Sequence, residues 1–169
     1  MTKVVSAEEA IENIQDGATI MISGFGGNGA PHTVIDKLVE KGVKDITLIC
    51  NDTGTPDFGA GRLFTNKQVK KAICSIISPN PVSGKQLDEG DIEVELYPQG
   101  SLAEKIRAGG VGLGGVLTKA GLNTLVEEGK QKVTVNGEEY LLEEPLKADF
   151  ALIYASRADK AGNCQYYGS

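Results

Sequence analysis

Apolar and polar positions follow one another along the chain in an order that predicts alternating strands and helices. Two short apolar runs, 18–22 and 46–50, have the length and composition of buried strands. Between them, apolar residues recur at helical spacing over 34–39, with Pro31 suited to the first turn and Gly42 to the C-terminal stop. A strand, a helix and a strand in this order predict a right-handed β-α-β unit with parallel strands.

Capping residues predict where two further helices begin. Ser6 and Glu9 match the capping box, in which two side chains three residues apart satisfy the first N–H groups of a helix. Ser101 and Glu104 match it as well and predict a helix that ends at 109–110. The glycine-rich stretch that follows this helix is predicted to be a shaped loop.

The rest of the pattern predicts short strands. They are β-rich segments at 69–77 and 92–97 separated by a turn at 79–85, a hairpin with Asn136 and Gly137 at its tip, and a last core strand at 150–154. We therefore expect one α/β domain over residues 1–169, with an open, mostly parallel sheet, flanking helices and an added β-hairpin.

A glycine-rich loop follows the first strand and precedes the helix that begins near Pro31. Its sequence from Gly24 to Gly29 satisfies G-x-G-x-x-G, the fingerprint of dinucleotide binding, in the expected strand-loop-helix context. The ribose-binding acid is displaced, however, because the second strand ends only near Asp52. A dinucleotide site, a structural turn and another glycine-lined ligand loop are all open at this point.

Composition removes several classes of protein. The 169 residues carry 17 Lys and Arg against 23 Asp and Glu, a net charge of −6 without a basic run, which argues against nucleic acid. The apolar runs are too short to span a bilayer, so we expect a cytoplasmic protein that binds no membrane. His32 is the only histidine and three cysteines lack C-x-x-C spacing, so we expect neither a histidine-based triad nor a metal site.

Four blocks of the sequence resemble one known family. They are DGATIMISGFGGNGAP at 16–31, NDTG at 51–54, YPQGSLAEKIRAGG at 97–110 and GLGG at 112–115. In this order and at these spacings, the blocks resemble the α subunits of family I coenzyme A transferases, which include acetate and butyrate-acetoacetate CoA-transferases. The resemblance runs over nearly the whole chain, so it is far more specific than a single glycine motif.

The resemblance implies an enzyme that moves CoA from a short-chain acyl-CoA, such as acetyl-, butyryl- or acetoacetyl-CoA, to a free carboxylate. In this family a glutamate of the β subunit attacks the thioester and carries CoA as a glutamyl thioester. The β-subunit signature Ser-Glu-Asn-Gly is absent from this sequence. We therefore expect activity only with a β subunit, in an α2β2 assembly, with CoA as a substrate and no tightly bound cofactor.

The resemblance also assigns roles to individual residues. The CoA-binding loop corresponds to Ser23, Gly24, Phe25, Gly26, Gly27, Asn28 and Gly29, with Ser23 at a position where the family usually has glycine. Gln99 matches a glutamine that faces the reacting carbonyl, where its amide N–H would stabilise an oxyanion. Asn51 and Asp52, at a strand end, are candidates for contacts to the substrate carboxylate.

Each of these assignments has an alternative. Gln99 also fits a turn residue after Pro98, and Asn51 and Asp52 fit helix caps or Asx turns. For the whole chain, the alternatives are a dinucleotide-binding oxidoreductase domain and an inactive fragment or structural partner subunit. The last possibility arises because family α subunits continue beyond the stretch that matches Gly168 and Ser169, so the resemblance implies a shortened C-terminus.

Overall fold

The computed structural model describes residues 3–167, which fall into two compact units. The first unit contains the chain up to Glu95 and from Ala148 onward, and the second unit is Leu96–Lys147. Among the described residues, no helix is both long enough and apolar enough to cross a bilayer.

A five-stranded sheet forms the centre of the first unit, in the order β4-β3-β2-β1-β8. Its strands are β1 (Thr19–Ile22), β2 (Ile46–Ile49), β3 (Val69–Cys74), β4 (Glu93–Leu96) and β8 (Phe150–Leu152). β1 pairs in parallel with β2 and β8, and β2 pairs in parallel with β3. The open, parallel sheet and the strands at 18–22 and 46–50 are therefore confirmed. The hydrogen-bonded strand at 150–154 is also present, but it ends at Leu152.

In the described part of the first unit there are four helices: α1 (Ala7–Ala10), α2 (His32–Lys41), α3 (Gly61–Thr65) and α4 (Pro81–Asp88). The capping box of α1 is confirmed, because the Glu9 N–H donates to Ser6 Oγ at 3.1 Å and the Ser6 N–H to Glu9 Oε2 at 2.9 Å. α2 ends at Gly42, whose φ of 72° is the left-handed geometry of a helix stop. Ile35 and Leu38 on its predicted apolar face are fully buried against the sheet core.

The predicted turn at 79–85 was wrong, because most of it forms helix α4. Asn80 is the N-cap of this helix, since its side chain accepts a hydrogen bond from the Val82 N–H at 3.0 Å. Pro81 follows at the first helical position, where its fixed φ and missing N–H carry no penalty. Asparagine followed by proline is therefore a helix start here, although the same pair also occurs in turns.

The second unit joins one long helix to a small antiparallel sheet. Its elements are α5 (Gln99–Val111), β5 (Val116–Thr118), a 3₁₀ turn (Leu125–Glu127), β6 (Lys132–Val135) and β7 (Glu138–Glu143), with strand order β5-β7-β6. The predicted hairpin is confirmed, because β6 and β7 pair in antiparallel fashion around Asn136 and Gly137. Their φ values of 53° and 81° are those of a type I′ turn.

The second predicted capping box was wrong, because α5 begins two residues before Ser101. Pro98 is the N-cap, with an extended ψ of 135°, and Gln99 is already helical. Glu104 pairs with Arg107 at 2.7 Å rather than with the helix start. Gly109 and Gly110 lie inside the helix, which ends at Gly112 with φ 76°.

The last described residues form a small hairpin that the sequence pattern did not predict. β9 (Arg157–Ala158) pairs in antiparallel fashion with β10 (Cys164–Gln165). Gly168 and Ser169, on which the expectation of a shortened C-terminus rests, lie outside the described residues. That expectation and the single domain over 1–169 stay predictions.

Candidate functional site

The glycine loop after β1 folds back on itself as a tight hairpin. The Phe25 N–H donates to the Asn28 carbonyl at 2.9 Å, and the Asn28 N–H donates to the Phe25 carbonyl at 3.0 Å. Gly24 has φ 111°, and a Cβ placed on it would lie 2.7 Å from the Asn28 carbonyl oxygen. Glycine is therefore required at this position by both its conformation and its surroundings.

Ser23 closes the base of this loop with its side chain. Its hydroxyl donates to the Gly29 carbonyl at 2.7 Å and accepts from the Tyr154 N–H at 3.0 Å. Among the described residues other than glycine, positive φ occurs elsewhere, at Asp45, Lys67, Asn123 and Asn136. Ser23 therefore occupies a position where the family usually has glycine without needing left-handed backbone, and it joins the loop to the chain after β8.

Asn51 and Asp52 lie against the loop from the end of β2. Asp52 is 4% exposed, and its Oδ2 accepts from the Gly26 N–H at 2.8 Å while its Oδ1 accepts from the Gly54 N–H at 2.7 Å. Asn51 Nδ2 donates to the Gly24 carbonyl at 2.9 Å. These charge-assisted and neutral hydrogen bonds fix the backbone of the loop. The structure thus brings Asn51 and Asp52, which follow β2, together with the predicted loop.

A second hairpin loop, which the sequence analysis missed, packs beside the first. It runs from Gly54 to Gly59, and the Phe58 N–H donates to the Thr55 carbonyl at 3.1 Å. The Phe58 ring lies over Gly27, where an added Cβ would be 2.2 Å from a ring carbon. The proline and aspartate of its sequence TPDF, between two glycines at a strand end, were the signal that could have found it. The Asp52 carboxylate therefore holds one N–H from each hairpin.

The space beneath the two hairpins is small. The cavity there, lined by Ile22, Cys50 and Ala60 together with the loop, has a volume of about 10 Å³. This is about the room for one water molecule. The loop's outer side carries Phe25, which is 63% exposed. A ligand as large as a nucleotide or a pantetheine chain can therefore contact this loop only on its outer surface.

The buried thiols of Cys50, beneath the loop, and of Cys74, on β3, are held in their neutral form. Burial raises the pKa of the Cys50 thiol well above its ordinary value, with smaller contributions from Cys74 and Asp52. Burial likewise raises the pKa of Cys74 to about 11, and the nearby Asp52 charge adds to the effect. At neutral pH neither group is a thiolate, so neither is a nucleophile.

Gln99 belongs to the second unit, where it is the first residue of α5. Gln99 is exposed, and Pro98 before it is the N-cap of the helix. The turn-residue alternative is therefore replaced by a helix start. Its role toward a reacting carbonyl stays a prediction.

The geometry of a dinucleotide fingerprint is not formed at the glycine loop. In that fingerprint the third glycine packs in the first turn of the following helix, whose N-terminus faces the pyrophosphate. Here α2 begins at His32, three residues after Gly29. The Phe25 and Asn28 N–H groups are also occupied by each other's carbonyls. Among residues 3–167, no group of three or more potential metal ligands is present.

Comparison with known proteins tests the family resemblance against the dinucleotide-binding alternative. The family model for coenzyme A transferase matches residues 4–169. The chain belongs to the coenzyme A transferase family. The resemblance over the four blocks is thereby confirmed, and the dinucleotide-binding alternative is set aside.

Relatives of this CoA-transferase chain match it over nearly its whole length. It is 54% identical over 168 residues to the acetoacetyl-CoA:acetate/butyrate CoA transferase alpha subunit of Clostridium acetobutylicum, covering 99% of this chain and 77% of the relative. It is 49% identical over 165 residues to the acetate CoA-transferase subunit alpha of Escherichia coli, covering 98% of this chain and 75% of the relative. Both relatives are named as α subunits.

Solved structures agree with the fold of this CoA-transferase chain. An acyl-CoA transferase from E. coli O157:H7, in a thioester complex with CoA, superposes with a TM-score of 0.86 at 26% identity, covering 98% of this chain and 36% of that one. Glutaconate coenzyme A-transferase from Acidaminococcus fermentans has the same TM-score of 0.86 at 19% identity, covering 99% and 61%. The second likeness shows the fold alone.

Proposed function

We propose that this chain is the α subunit of an acyl-CoA:carboxylate CoA-transferase that acts on short-chain acids. The enzyme exchanges CoA between acetyl-, butyryl- or acetoacetyl-CoA and a free carboxylate. The single observation that carries the proposal is the 54% identity to an acetoacetyl-CoA:acetate/butyrate CoA transferase alpha subunit over 99% of this chain.

The reaction requires a nucleophile from a partner subunit. A glutamate carboxylate of the β subunit attacks the thioester carbonyl, CoA leaves as a thiolate, and an acyl-glutamyl anhydride forms. The thiolate then attacks the glutamyl carbonyl, which releases the first carboxylate and leaves glutamyl-CoA. A second carboxylate reverses these steps. Cys50 and Cys74 cannot replace the glutamate, because burial raises the pKa of both thiols.

CoA binds on the outer surface of the loop from Ser23 to Gly29. The cavity beneath the loop supports binding on this side, because its volume of about 10 Å³ leaves no room for such a ligand below. Bare glycine backbone allows a close approach of pantetheine or phosphate. Asn51 and Asp52 serve the substrate by holding this loop, since the polar atoms of Asp52 are bonded to backbone N–H groups.

Gln99 stabilises the oxyanion of the reacting carbonyl through its amide N–H. Its exposed position at the start of α5 supports this role, because a substrate or a partner can reach an exposed residue. A single donor of this kind contributes about 10²- to 10³-fold to kcat.

Co-expression with the β partner tests the proposal. The complex is expected to transfer CoA from acetoacetyl-CoA to acetate, with Gln99→Ala lowering kcat by about 10²- to 10³-fold. Gln15→Ala, at an exposed glutamine of the first unit, is the matched control and should leave turnover unchanged. No transfer between any pair of C2 to C6 acids overturns the proposal, and normal turnover of Gln99→Ala overturns the role of Gln99.

We further propose that the chain works in the cytoplasm as part of an α2β2 assembly. The α-subunit names of the relatives support a β partner. Native mass spectrometry of the co-purified complex is expected to give two copies of each chain. A mass that corresponds to this chain alone supports the alternative of a structural piece without activity.

A further inference from the structure

Two buried and two half-buried side chains of the second unit form a cluster of three charged groups and one aromatic ring that the proposed mechanism does not use. Lys105 and Glu143 are 5% and 1% exposed, and their Nζ and Oε2 atoms lie 3.2 Å apart. Lys130 Nζ pairs with the other oxygen, Oε1, of the same carboxylate. Both ammonium groups also lie over the Tyr97 ring, at 4.6 and 4.9 Å from its centroid.

Stability alone does not explain why Lys105 is charged. A buried ion pair contributes little net stability, because desolvation offsets most of its Coulomb attraction. The helix that carries Lys105 is also fixed in other ways. The Leu146 N–H donates to the Lys105 carbonyl at 2.9 Å, and Gly109 lies so close that a Cβ there would be 1.9 Å from the Leu146 carbonyl oxygen. We therefore looked for a further role of the Lys105 charge in its position along the chain.

The position of the cluster in the chain indicates that role. Tyr97 lies two residues before Gln99, and Lys105 lies six residues after it on α5. The contact between the Lys105 ammonium and the Tyr97 ring links the chain on both sides of Gln99. The Leu102 N–H adds a bond to the Pro98 carbonyl at 2.9 Å within the same segment.

We infer that Lys105 is a positioning residue for Gln99, because Lys105 lies on α5 and Lys130 does not, and that it holds the start of α5 by tying this helix to Tyr97 and Glu143. The inference rests on the proposed function, because it gives Gln99 a reacting carbonyl to face. Lys105 itself acts through Tyr97 and the helix start. It contacts no reacting atom.

The second lysine makes the inference testable without unfolding the protein. In Lys105→Met, Lys130 still neutralises Glu143, so no buried carboxylate is left unpaired, and methionine fills the volume of the lysine stem. In Lys130→Met, the same unit of charge is removed while the link from Glu143 through Lys105 to Tyr97 remains. The two variants separate a positioning effect from a charge effect.

In complex with the β subunit, Lys105→Met is expected to lower kcat by about tenfold with an unchanged KM for the acyl-CoA, and Lys105→Arg to restore at least half of the turnover. Lys130→Met should change kcat by less than twofold. Lys119→Met is the matched control, because Lys119 pairs with Glu138 and lies over the Tyr140 ring at an exposed site. Equal losses in Lys105→Met and Lys130→Met indicate a charge effect and overturn the inference.

A double-mutant cycle shows whether Lys105 acts through Gln99. In the Gln99→Ala background, Lys105→Met should change kcat by less than twofold. A full tenfold loss in that background overturns the inference.

Hydrogen exchange of the α5 start provides a readout that needs no turnover. The amide of Leu102 should exchange at least fivefold faster in Lys105→Met than in wild type and Lys130→Met. If the wild-type complex transfers no CoA, the proposed function fails, and unchanged exchange at Leu102 overturns the inference separately.

Discussion

The glycine loop of the first unit and the start of α5 in the second unit are both candidate active-site segments, but different forces shape them. The loop is a backbone structure, in which Gly24 permits the hairpin and a buried carboxylate, Asp52, accepts N–H groups from two hairpins. The α5 start is held by charged side chains around Tyr97.

This difference determines which substitutions each segment can tolerate. A loop that is held through backbone groups is sensitive to any change in the acceptor that satisfies them, because two N–H groups lose their partner together. A helix that is held through side chains is sensitive to charge and to added volume where it meets its neighbour. The following variants test this difference, beginning with the largest expected effect.

Asp52→Asn should have the largest effect. An amide at this position accepts from one N–H only, and its NH₂ group faces the other N–H, either of Gly26 or of Gly54. We expect the free energy of unfolding, measured by urea denaturation, to fall by about 3 kcal/mol. Asp57→Asn, at an exposed position in the second hairpin, is the control for the loss of charge. Equal stability of the two variants would show that the carboxylate does not hold the hairpins.

Gly109→Ala should destabilise the second unit, whereas Gly110→Ala should not. A Cβ on Gly109 would lie 1.9 Å from the Leu146 carbonyl oxygen, so α5 must move away from that segment. Such overpacking costs about 1 to 3 kcal/mol. A Cβ on Gly110 meets nothing within 4 Å, so alanine should stabilise the helix by up to about 1 kcal/mol. Thermal unfolding of the two variants should therefore show shifts of opposite sign, and a parallel shift would contradict the close approach of the helix.

These two glycines also illustrate the limit of the sequence analysis. Gly109 and Gly110 were read as a helix stop, because glycine after an apolar helix often adopts a left-handed cap. Here the stop is Gly112, and Gly109 is present because a neighbouring backbone comes close. That neighbour is Leu146, which lies far along the chain, so local pattern cannot distinguish a glycine needed for conformation from one needed for space.

Local order was predicted well where short-range physics decides it. The β-α-β unit follows from two apolar runs around an amphipathic helix, and the hairpin follows from Asn136 and Gly137. The resemblance of four sequence blocks to the family indicated that the glycine loop is a candidate binding segment. The Asp52 contacts to both hairpins and the Lys105–Glu143 pair depend on tertiary contacts, and the latter joins residues 38 positions apart.

Ser23→Ala should have a moderate effect on the loop. The Ser23 hydroxyl donates to the Gly29 carbonyl and accepts from the Tyr154 N–H, so alanine removes both bonds. We expect a loss of about 1 kcal/mol in the free energy of unfolding, since both partners are partly accessible to water. The exposed Ser78 provides the control Ser78→Ala. If Ser23→Ala is as stable as the control, the hydroxyl does not close the loop.

The three cysteine thiols should differ clearly in their reactivity, although this difference has the smallest expected effect on stability. Burial raises the pKa of Cys74 to about 11 and the pKa of Cys50 well above its ordinary value, while Cys164 is exposed. At pH 8 about one in a thousand Cys74 thiols is ionised. A thiol-disulfide reagent should therefore label one of the three cysteines of the folded protein rapidly, and the others only after denaturation.

Cys164→Ser identifies the reactive thiol, because it should remove the rapid reaction and lower the count after denaturation from three thiols to two. Raising the pH toward 11 increases the thiolate fraction of Cys74, yet labelling should stay slow while the protein is folded, since the Cys74 side chain is fully buried. Rapid labelling of Cys50 in the native chain at pH 8 would mean that the hairpins open readily. The backbone hydrogen bonds would then not keep the loop closed. The difference between the loop and the start of α5, which charged side chains hold, would be lost.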